Sequence, residues 1–412
     1  MSQTNAPSWG TAISAAFLVA GTCIGGGMLI LPLATGLSGF LPSIVSMVVC
    51  WAMMTATALL LMEVNLSMSE GAHVISMSGK MLGWPGKVVA WILYLFISYA
   101  SLVGYTAGGG GQVAHLLEKI FSTDVSRDFG CLVFVLAFGS VIYLGNKIVG
   151  RVNTVLFLAM IGAYIAVVGM GIDEVKSENF FHTEWSSAWM ALPILLTSFS
   201  FQTMVPSLSL YLNKQSQNLR FAIIGGTTIS LLVYLIWQWL ILGIVPLHGD
   251  SGLLYALRQG EAPTQFVSEH VVGSYIAPAA EFFAFFALVT SFLGIALGLF
   301  DFLSDGLKIQ EQGVGQIALA ILVVVPTLFF ATHFERAFLI AFETTGGFGD
   351  AILNGMMPVM MAWVARYRFG HAAKAQIPGG KPVLIAIFLF YTGILVLEIL
   401  MTTRLLPSIF NQ

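Results

Sequence analysis

Residues 19–32 read VAGTCIGGGMLILP, an apolar stretch with glycines at Gly21, Gly25, Gly26 and Gly27, at the depth where a helix in lipid should be most regular. Three consecutive glycines each weaken a helix by about 1 kcal/mol relative to alanine. The helix is expected to unwind there. Outward from this stretch, similar uncharged runs recur along all 412 residues, of which 57% are hydrophobic and 9% charged, with a mean hydropathy of +0.88. A soluble domain carries roughly a quarter charged residues. The surrounding medium is therefore lipid.

A helix needs about 20 apolar residues to cross a hydrocarbon core of about 30 Å. Dividing the runs at Gly, Pro and charge clusters gives eleven spans, near 9–36, 40–66, 87–113, 129–145, 149–171, 187–212, 219–245, 276–304, 315–332, 336–366 and 382–403. Helices are the economical reading, because a backbone amide in lipid must be satisfied within its own segment. A barrel would alternate apolar and polar residues in segments of about ten, and no stretch does. The first run lacks the basic start and cleavage site of a secretory signal, and is expected to stay in place as a span. No soluble domain remains outside the spans. The longest gap, 246–275, holds two short amphipathic stretches, Gly252 to Gln259 and Pro263 to Val272; an outer lid and an ordinary surface loop are both open readings there.

Orientation follows from the cations. With the N-terminus cytoplasmic, only six of the 17 Lys and Arg fall outside, namely Lys119, Arg127, Lys176, Arg258, Arg336 and Arg404. The remainder, including Lys80, Lys147, Lys214, Arg366 and Lys381, fall inside, which puts the C-terminus outside. A net charge near −3 with no basic run argues against nucleic acid as a partner. Cys23, Cys50 and Cys131 have neither paired spacing nor neighbouring histidines, so neither a disulfide framework nor a zinc site is expected. No obligate protein partner and no enzymatic cofactor is evident.

The sixth span, ILLTSFSFQTMVPSLSLYL at 194–212, is interrupted as well. Pro206 removes a backbone donor, and Ser198, Ser200, Gln202 and Thr203 place polar groups in mid-membrane. Close helix packing explains either interruption alone. Together, five spans apart, they are what two five-helix repeats of inverted topology would produce, with a site at the midplane between unwound segments. The repeats would be 1–171 and 187–366, with 382–403 as an additional span. Amides at Gly25, Gly26 and Gly27 begin a half-helix and can bind a carboxylate. Carbonyls around Gly21, Thr22 and Ser198 can accept from an ammonium, Cys23 lies between them, and a zwitterionic amino acid supplies both charges. Phe199 and Phe201 flank the second break, and Tyr99 lies midway along the third span, as candidates to meet the substrate's side chain.

In the eighth span, AEFFAFFALVTSFLGIALGLFDFLSDG at 280–306, Thr290 and Ser291 lie three and four residues after Ala287 and share a helix face with its carbonyl. Two hydroxyls and carbonyls from a neighbouring unwound helix suit a small cation; hydroxyls bonded back to the preceding turn are the other reading. Of the acids in or near spans, Glu63, Asp301 and Glu398 are expected to reach water from span ends, and Glu281 lies near the outer end. Glu343 and Asp350, flanking TTGGFG, remain as candidate gate or proton-carrying groups.

VAGTCIGGGMLILP, TSFSFQTMVPS and TSFLGIALGLFDFLSDG together resemble the hydroxy and aromatic amino acid permease family, most closely its bacterial tyrosine- and tryptophan-specific branch, within the amino acid–polyamine–organocation superfamily. The resemblance runs along nearly the whole chain. It implies an all-α inner-membrane symporter of eleven spans with the five-plus-five inverted repeat of the leucine transporter fold and broken first and sixth helices. In sodium-coupled relatives of that fold, positions matching Gly21, Ile24, Ala287, Thr290 and Ser291 supply the ligands. Two departures bear on the ion. Proton-coupled permeases of this type tend to carry a lysine within the fifth span, where this chain has Met160. The family's Ser-Phe-Gly-Phe-His motif has Ser200 for the glycine and Gln202 for the histidine. Both changes remove a titratable group and tilt the expectation from proton towards sodium.

The expected function is therefore import of an aromatic L-amino acid, tyrosine ahead of tryptophan and phenylalanine, on a cation gradient. A proton-coupled importer of another neutral amino acid is the alternative. A channel would show rings of similar polar residues along one pathway. An intramembrane enzyme would need motifs such as HExxH or GxSxG, which do not occur.

Overall fold

The computed structural model describes residues 9–68, 73–143, 146–249, 252–259, 275–310, 312–334, 336–370 and 376–409. Every long element among them is a helix. The first span consists of α1 (Trp9–Cys23) and α2 (Gly26–Gly36), bent by 55° at Ile24 and Gly25. Then come α3 (Phe40–Leu66), α4 (Val74–Phe121), α5 (Arg127–Tyr143) and α6 (Asn146–Gly171). The sixth span is again in two pieces, α7 (Leu192–Ser198) and α8 (Val205–Tyr211). It is followed by α9 (Ser216–Ile244), α10 (Leu253–Gln259), α11 (Ile276–Leu307) and α12 (Val314–His333). The tenth span runs from α13 (Ala337–Thr344) through a π-helical stretch, Thr345–Met356, into α14 (Met357–Tyr367), and α15 (Gly380–Thr402) closes the chain.

By length and apolarity, nine helices and the bent α1–α2 pair can cross a membrane, ten spans among the described residues. The fourth expected span is the 17-residue α5, which rises about 25 Å at 1.5 Å per residue, the short limit for a crossing. The third is longer than expected, because α4 starts at Val74. Gly83, at φ 76°, turns the chain in a conformation that side chains disfavour, so 74–82 form a separate short helix before the crossing. In the 246–275 gap, α10 coincides with the first amphipathic stretch, and Leu253 lies against Gly36 at the end of α2. The stretch Pro263 to Val272 lies outside the described residues.

The two halves of the first span sit in different surroundings. All eleven residues of α2 are buried. In α1, Ala12, Ala15, Ala16 and Val19 are buried while Ile13, Phe17 and Leu18 are exposed. The buried face of α1 lies on α9, where Gly226 leaves no room for a Cβ against Val19 and the Ala16 carbonyl. Side-chain bonds fix α9 to the rest: Thr55 donates to Thr227 at 3.0 Å, and Gln238 to Thr35 at 2.6 Å.

Glu63, expected to reach water from a span end, is instead buried against Arg366. The two are 1% and 5% exposed and form a two-pronged ion pair, Nε to Oε1 and Nη2 to Oε2, each 2.7 Å. The Gln376 amide also donates to Glu63, at 3.0 Å. Glu398 is likewise 1% exposed. Position along a helix fixes depth, but a neighbour packed at the same depth excludes water. Removing one partner of a buried pair costs about 3–5 kcal/mol, because the other charge is stranded, whereas replacing both by apolar groups is often neutral. Glu63→Ala is therefore expected to lower the thermal unfolding midpoint of the detergent-solubilised protein markedly, and Glu63→Leu combined with Arg366→Met to recover most of the loss. Equal melting of the single variant and the parent would show the pair to be dispensable.

Candidate functional site

The first break arises where the run of glycines removes helix propensity. Gly25 is extended, with φ −166° and ψ −151°, and α2 restarts at Gly26. The second arises between two prolines that each sit in the first turn of a half-helix, Pro193 in α7 and Pro206 in α8, where a missing N–H costs nothing. Phe199 to Phe201 leave the helical path between them, and Gln202–Met204 form one 3₁₀ turn.

The breaks meet. A Cβ on Gly27 would lie 3.3 Å from Ser198 Cα, and the Ser198 hydroxyl is 3.3 Å from the Gly27 carbonyl. Tyr234 of α9 joins them: its hydroxyl lies 2.5 Å from the Cys23 carbonyl and 2.6 Å from the Ser198 carbonyl, the last of α1 and of α7. Both carbonyls lost their backbone donors when the helices stopped. One buried phenol serves the two.

A cavity of about 610 Å³ lies at this junction, within the usual range for small-molecule sites. Gly21, Thr22, Cys23, Gly25, Gly26 and Gly27 line it, as do Ser200, Thr290 and Ser291. Phe17 and Leu18 of α1, with Asn153 and Thr154 near the start of α6, carry it towards the N-terminal ends of those helices. Its other end is stopped by rings. Tyr105 lies on Gly26, Phe342 on Gly104 and Phe338 on Gly108, with Tyr105–Phe342 centroids 5.6 Å apart and Phe338–Phe342 5.5 Å apart, both edge-to-face.

Several expected residues lie elsewhere. Tyr99 donates to the Leu322 carbonyl of α12 at 2.8 Å and does not line the cavity; the ring that does is Tyr105, six residues on. Phe199 packs on Tyr234 with centroids 5.0 Å apart, and Phe199 and Phe201 are both in the core. Gln202 turns to α3, donating to the Met54 carbonyl at 3.1 Å and accepting the Phe201 amide at 3.0 Å. Tyr105, Phe157 and Phe342 are the cavity's aromatic residues away from the mouth.

The α11 hydroxyls face the first break. Ser291 accepts the Gly26 amide at 3.1 Å, and Thr290 donates to the Phe286 and Ala287 carbonyls at 2.8 and 3.2 Å. A hydroxyl that gives its proton to its own helix turns its oxygen lone pairs outward, so this geometry suits both the helix-turn reading and cation binding. Met160 approaches Thr290 to 4.0 Å, with its thioether in the pocket where the family resemblance would put an ammonium. On the tenth span, Ser200 of the second break donates to Asp350 Oδ1 at 2.7 Å, and Asn354 Nδ2 donates to the same oxygen at 2.6 Å. Glu343 is buried at the end of α13.

A model of the tryptophan/tyrosine permease family matches residues 10–398, nearly the whole chain. The chain belongs to that family. This permease is 32% identical over 397 residues to the tyrosine-specific transport system 1 of Haemophilus influenzae, covering 94% of this chain and 96% of that one. It is 30% identical over 402 residues to a tryptophan-specific transport protein of the same organism, covering 95% of each. Its fold matches the crystal structure of MhsT in complex with L-phenylalanine with a TM-score of 0.61 over 95% of this chain and 98% of that one, at 15% identity. The permease therefore has the leucine transporter fold, and it is a multi-pass membrane transport protein rather than an enzyme.

Tyr234, like the cavity residues Tyr105, Phe157, Phe342 and Asn354, is a residue that sequence reading missed. Tyr234→Phe would remove the one donor that the two buried carbonyls share, at about 1–3 kcal/mol for an unsatisfied group. A lower unfolding midpoint of the purified permease is the expected result; an unchanged midpoint would mean that water replaces the phenol.

Proposed function

We propose that this permease is a secondary active importer of an aromatic L-amino acid, tyrosine ahead of tryptophan and phenylalanine, driven by a cation gradient across the bacterial inner membrane. The observation that carries the reading is the meeting of two interrupted helices at one cavity whose midplane polar groups are mostly backbone dipoles and hydroxyls. The Gly25 and Gly27 amides suit a carboxylate, the Gly26 amide being held by Ser291, the carbonyls of the first and sixth breaks suit an ammonium, and Tyr105, Phe157 and Phe342 suit a ring. The specificities that the relatives' names carry, and the L-phenylalanine in the MhsT complex, support an aromatic substrate. The halves 1–171 and 187–366 are the moving repeats, with 382–403 added, the N-terminus cytoplasmic and the C-terminus periplasmic. On that orientation the cavity faces the cytoplasm, and the Tyr105, Phe338 and Phe342 rings bar the outside.

For the coupling ion, the residues that the family resemblance assigns, Gly21, Ile24, Ala287, Thr290 and Ser291, would offer oxygens of the kind a hard cation such as sodium prefers, while Met160 offers no proton. Cation binding between α1 and α11 would hold the first break closed against the eighth span until substrate arrives.

Purified protein in liposomes, given labelled tyrosine under a sodium gradient and separately under a pH gradient, with tryptophan and phenylalanine as competitors, tests the reading. Thr290→Ala or Ser291→Ala is expected to abolish sodium-driven accumulation with expression intact; full concentrative uptake would leave those hydroxyls as helix-turn bonds. A side chain at residue 26 would meet the Tyr105 ring at 2.7 Å and Leu288 at 3.1 Å, so Gly26→Val is expected to abolish tyrosine binding. Wild-type affinity in that variant would refute the carboxylate site.

A further inference from the structure

Three carboxyls on the last two spans take no part in the substrate or sodium assignments. Asp350 in the π-helical stretch, Glu398 on α15 and Glu343 on α13 are 0%, 1% and 7% exposed. Each has one oxygen without a hydrogen-bond partner, respectively Oδ2, Oε2 and Oε1. The ion pairs of the described residues are His115–Glu118, Lys119–Glu281 and Arg366–Glu63, and none includes these acids. A buried carboxylate whose charge meets neither a cation nor a full set of donors is costly at membrane depth. A bound proton removes that charge.

Asp350 is the member that touches the transport site. Its Oδ1 accepts from Ser200 at 2.7 Å and from Asn354 at 2.6 Å, and Asn354 also reaches the Ser200 oxygen at 3.1 Å. Ser200 and Asn354 both line the cavity. Ser200 lies in the non-helical part of the sixth span, so the acid is one hydrogen bond from a segment that must move. Asn354 Oδ1 and Thr345 Oγ1, on the same π-helical stretch, are buried without hydrogen-bond partners. The titratable groups that feel the Asp350 charge are Tyr105 of α4 and Tyr391 of α15, with Cys50 of α3 beside the latter, while Glu343 and Glu398 interact with each other. From α7 comes the Thr197 hydroxyl, which donates to the Phe342 carbonyl. On α14, Arg366 and Tyr367 lie at the far end.

We propose that Asp350 binds a proton that is carried with the substrate, its protonation state being read by the sixth-span break through Ser200. This rests on the transporter reading and is separate from the ion pocket between α1 and α11. The carboxylate takes up one proton from the side where substrate enters and returns it on the other side, with no other bond made or broken.

The test uses purified full-length protein in liposomes with equal sodium on both sides and labelled tyrosine. Counterflow, which needs no gradient, checks the transporter reading; its absence from the parent protein would remove both that reading and this one. With counterflow present, an inward acidic gradient is expected to drive accumulation in the parent, and Asp350→Asn to lose at least about tenfold of it while keeping counterflow. In weakly buffered vesicles the parent protein is expected to move about one proton inward per tyrosine, a measurement that needs no variant and decides the matter should Asp350→Asn fail to reach the membrane. Asp350→Glu is expected to retain proton movement. Accumulation by Asp350→Asn equal to the parent's, or tyrosine entry in the parent without proton movement, would overturn the proposal.

Discussion

A helix in lipid can be interrupted only where something other than water serves its freed amides and carbonyls. That requirement locates the site of this permease. The carbonyls at the ends of α1 and α7 converge on one phenol, Tyr234, and the first amide of α2 is taken by Ser291. These partners come from α9 and α11, so the two breaks are held by helices that are not broken. Moving either break away from them would strand several polar groups in hydrocarbon, at about 1–3 kcal/mol each. The cavity is where it is because only there can both interruptions be paid for.

Glycine does the complementary work of bringing backbones close. Gly104 and Gly108 are one turn apart on α4 and admit Phe342 and Phe338, which closes one end of the cavity with rings packed edge to face. In TTGGFGDAILNG the same device serves the tenth span. Gly346 abuts the Pro193 carbonyl of α7, Gly347 the Glu398 carboxyl of α15, Gly349 Ile97 of α4, and Gly355 Tyr391. A wide π-helical turn with so many close neighbours is fixed on all sides, and it is the element that presents Asp350 and Asn354 to Ser200.

The spans and both breaks were legible in the sequence because hydropathy, three glycines and well-placed prolines act locally. The shared face of Thr290 and Ser291 followed from helix geometry alone. Tyr105 was separable from Tyr99 by helical spacing, since Ser98, Ser101, Tyr105 and Gln112 share one polar stripe of α4 and two of them line the cavity, but Tyr99 stands beside that stripe and drew the reading instead. Gln202 looked like a midplane polar group awaiting a substrate, yet α3 satisfies it first through the Met54 carbonyl. Glu63 and Glu398 looked solvent-bound because position along a helix says nothing about what packs beside it. Tyr234 left no local signal, since an isolated tyrosine in a long apolar helix is common, and its importance appears only when two distant chain breaks arrive at its hydroxyl.

The bend at Gly25 divides one span into two pieces with unlike surroundings, and the division has a mechanical consequence. Wholly buried α2 is held on every side, by α7, by α9 through Thr35 and by Leu253 of α10. By contrast α1 is held along one face by α9, while its other face bears Phe17 and Leu18 on the cavity. A displacement of α1 therefore disturbs fewer contacts than one of α2. The rings at Tyr105, Phe338 and Phe342 add to the same asymmetry, because they seal the end of the cavity beside α2 by packing against glycines that leave no slack. Closure of the open end, in contrast, needs only that α1 and the Ser200 segment approach α11 and the tenth span. The polar groups at that seam, Ser291, Thr290, Ser200 and Asn354, already bond across it or line it. Movement is thus concentrated where bonds are few and exchangeable, and it is resisted where packing is complete.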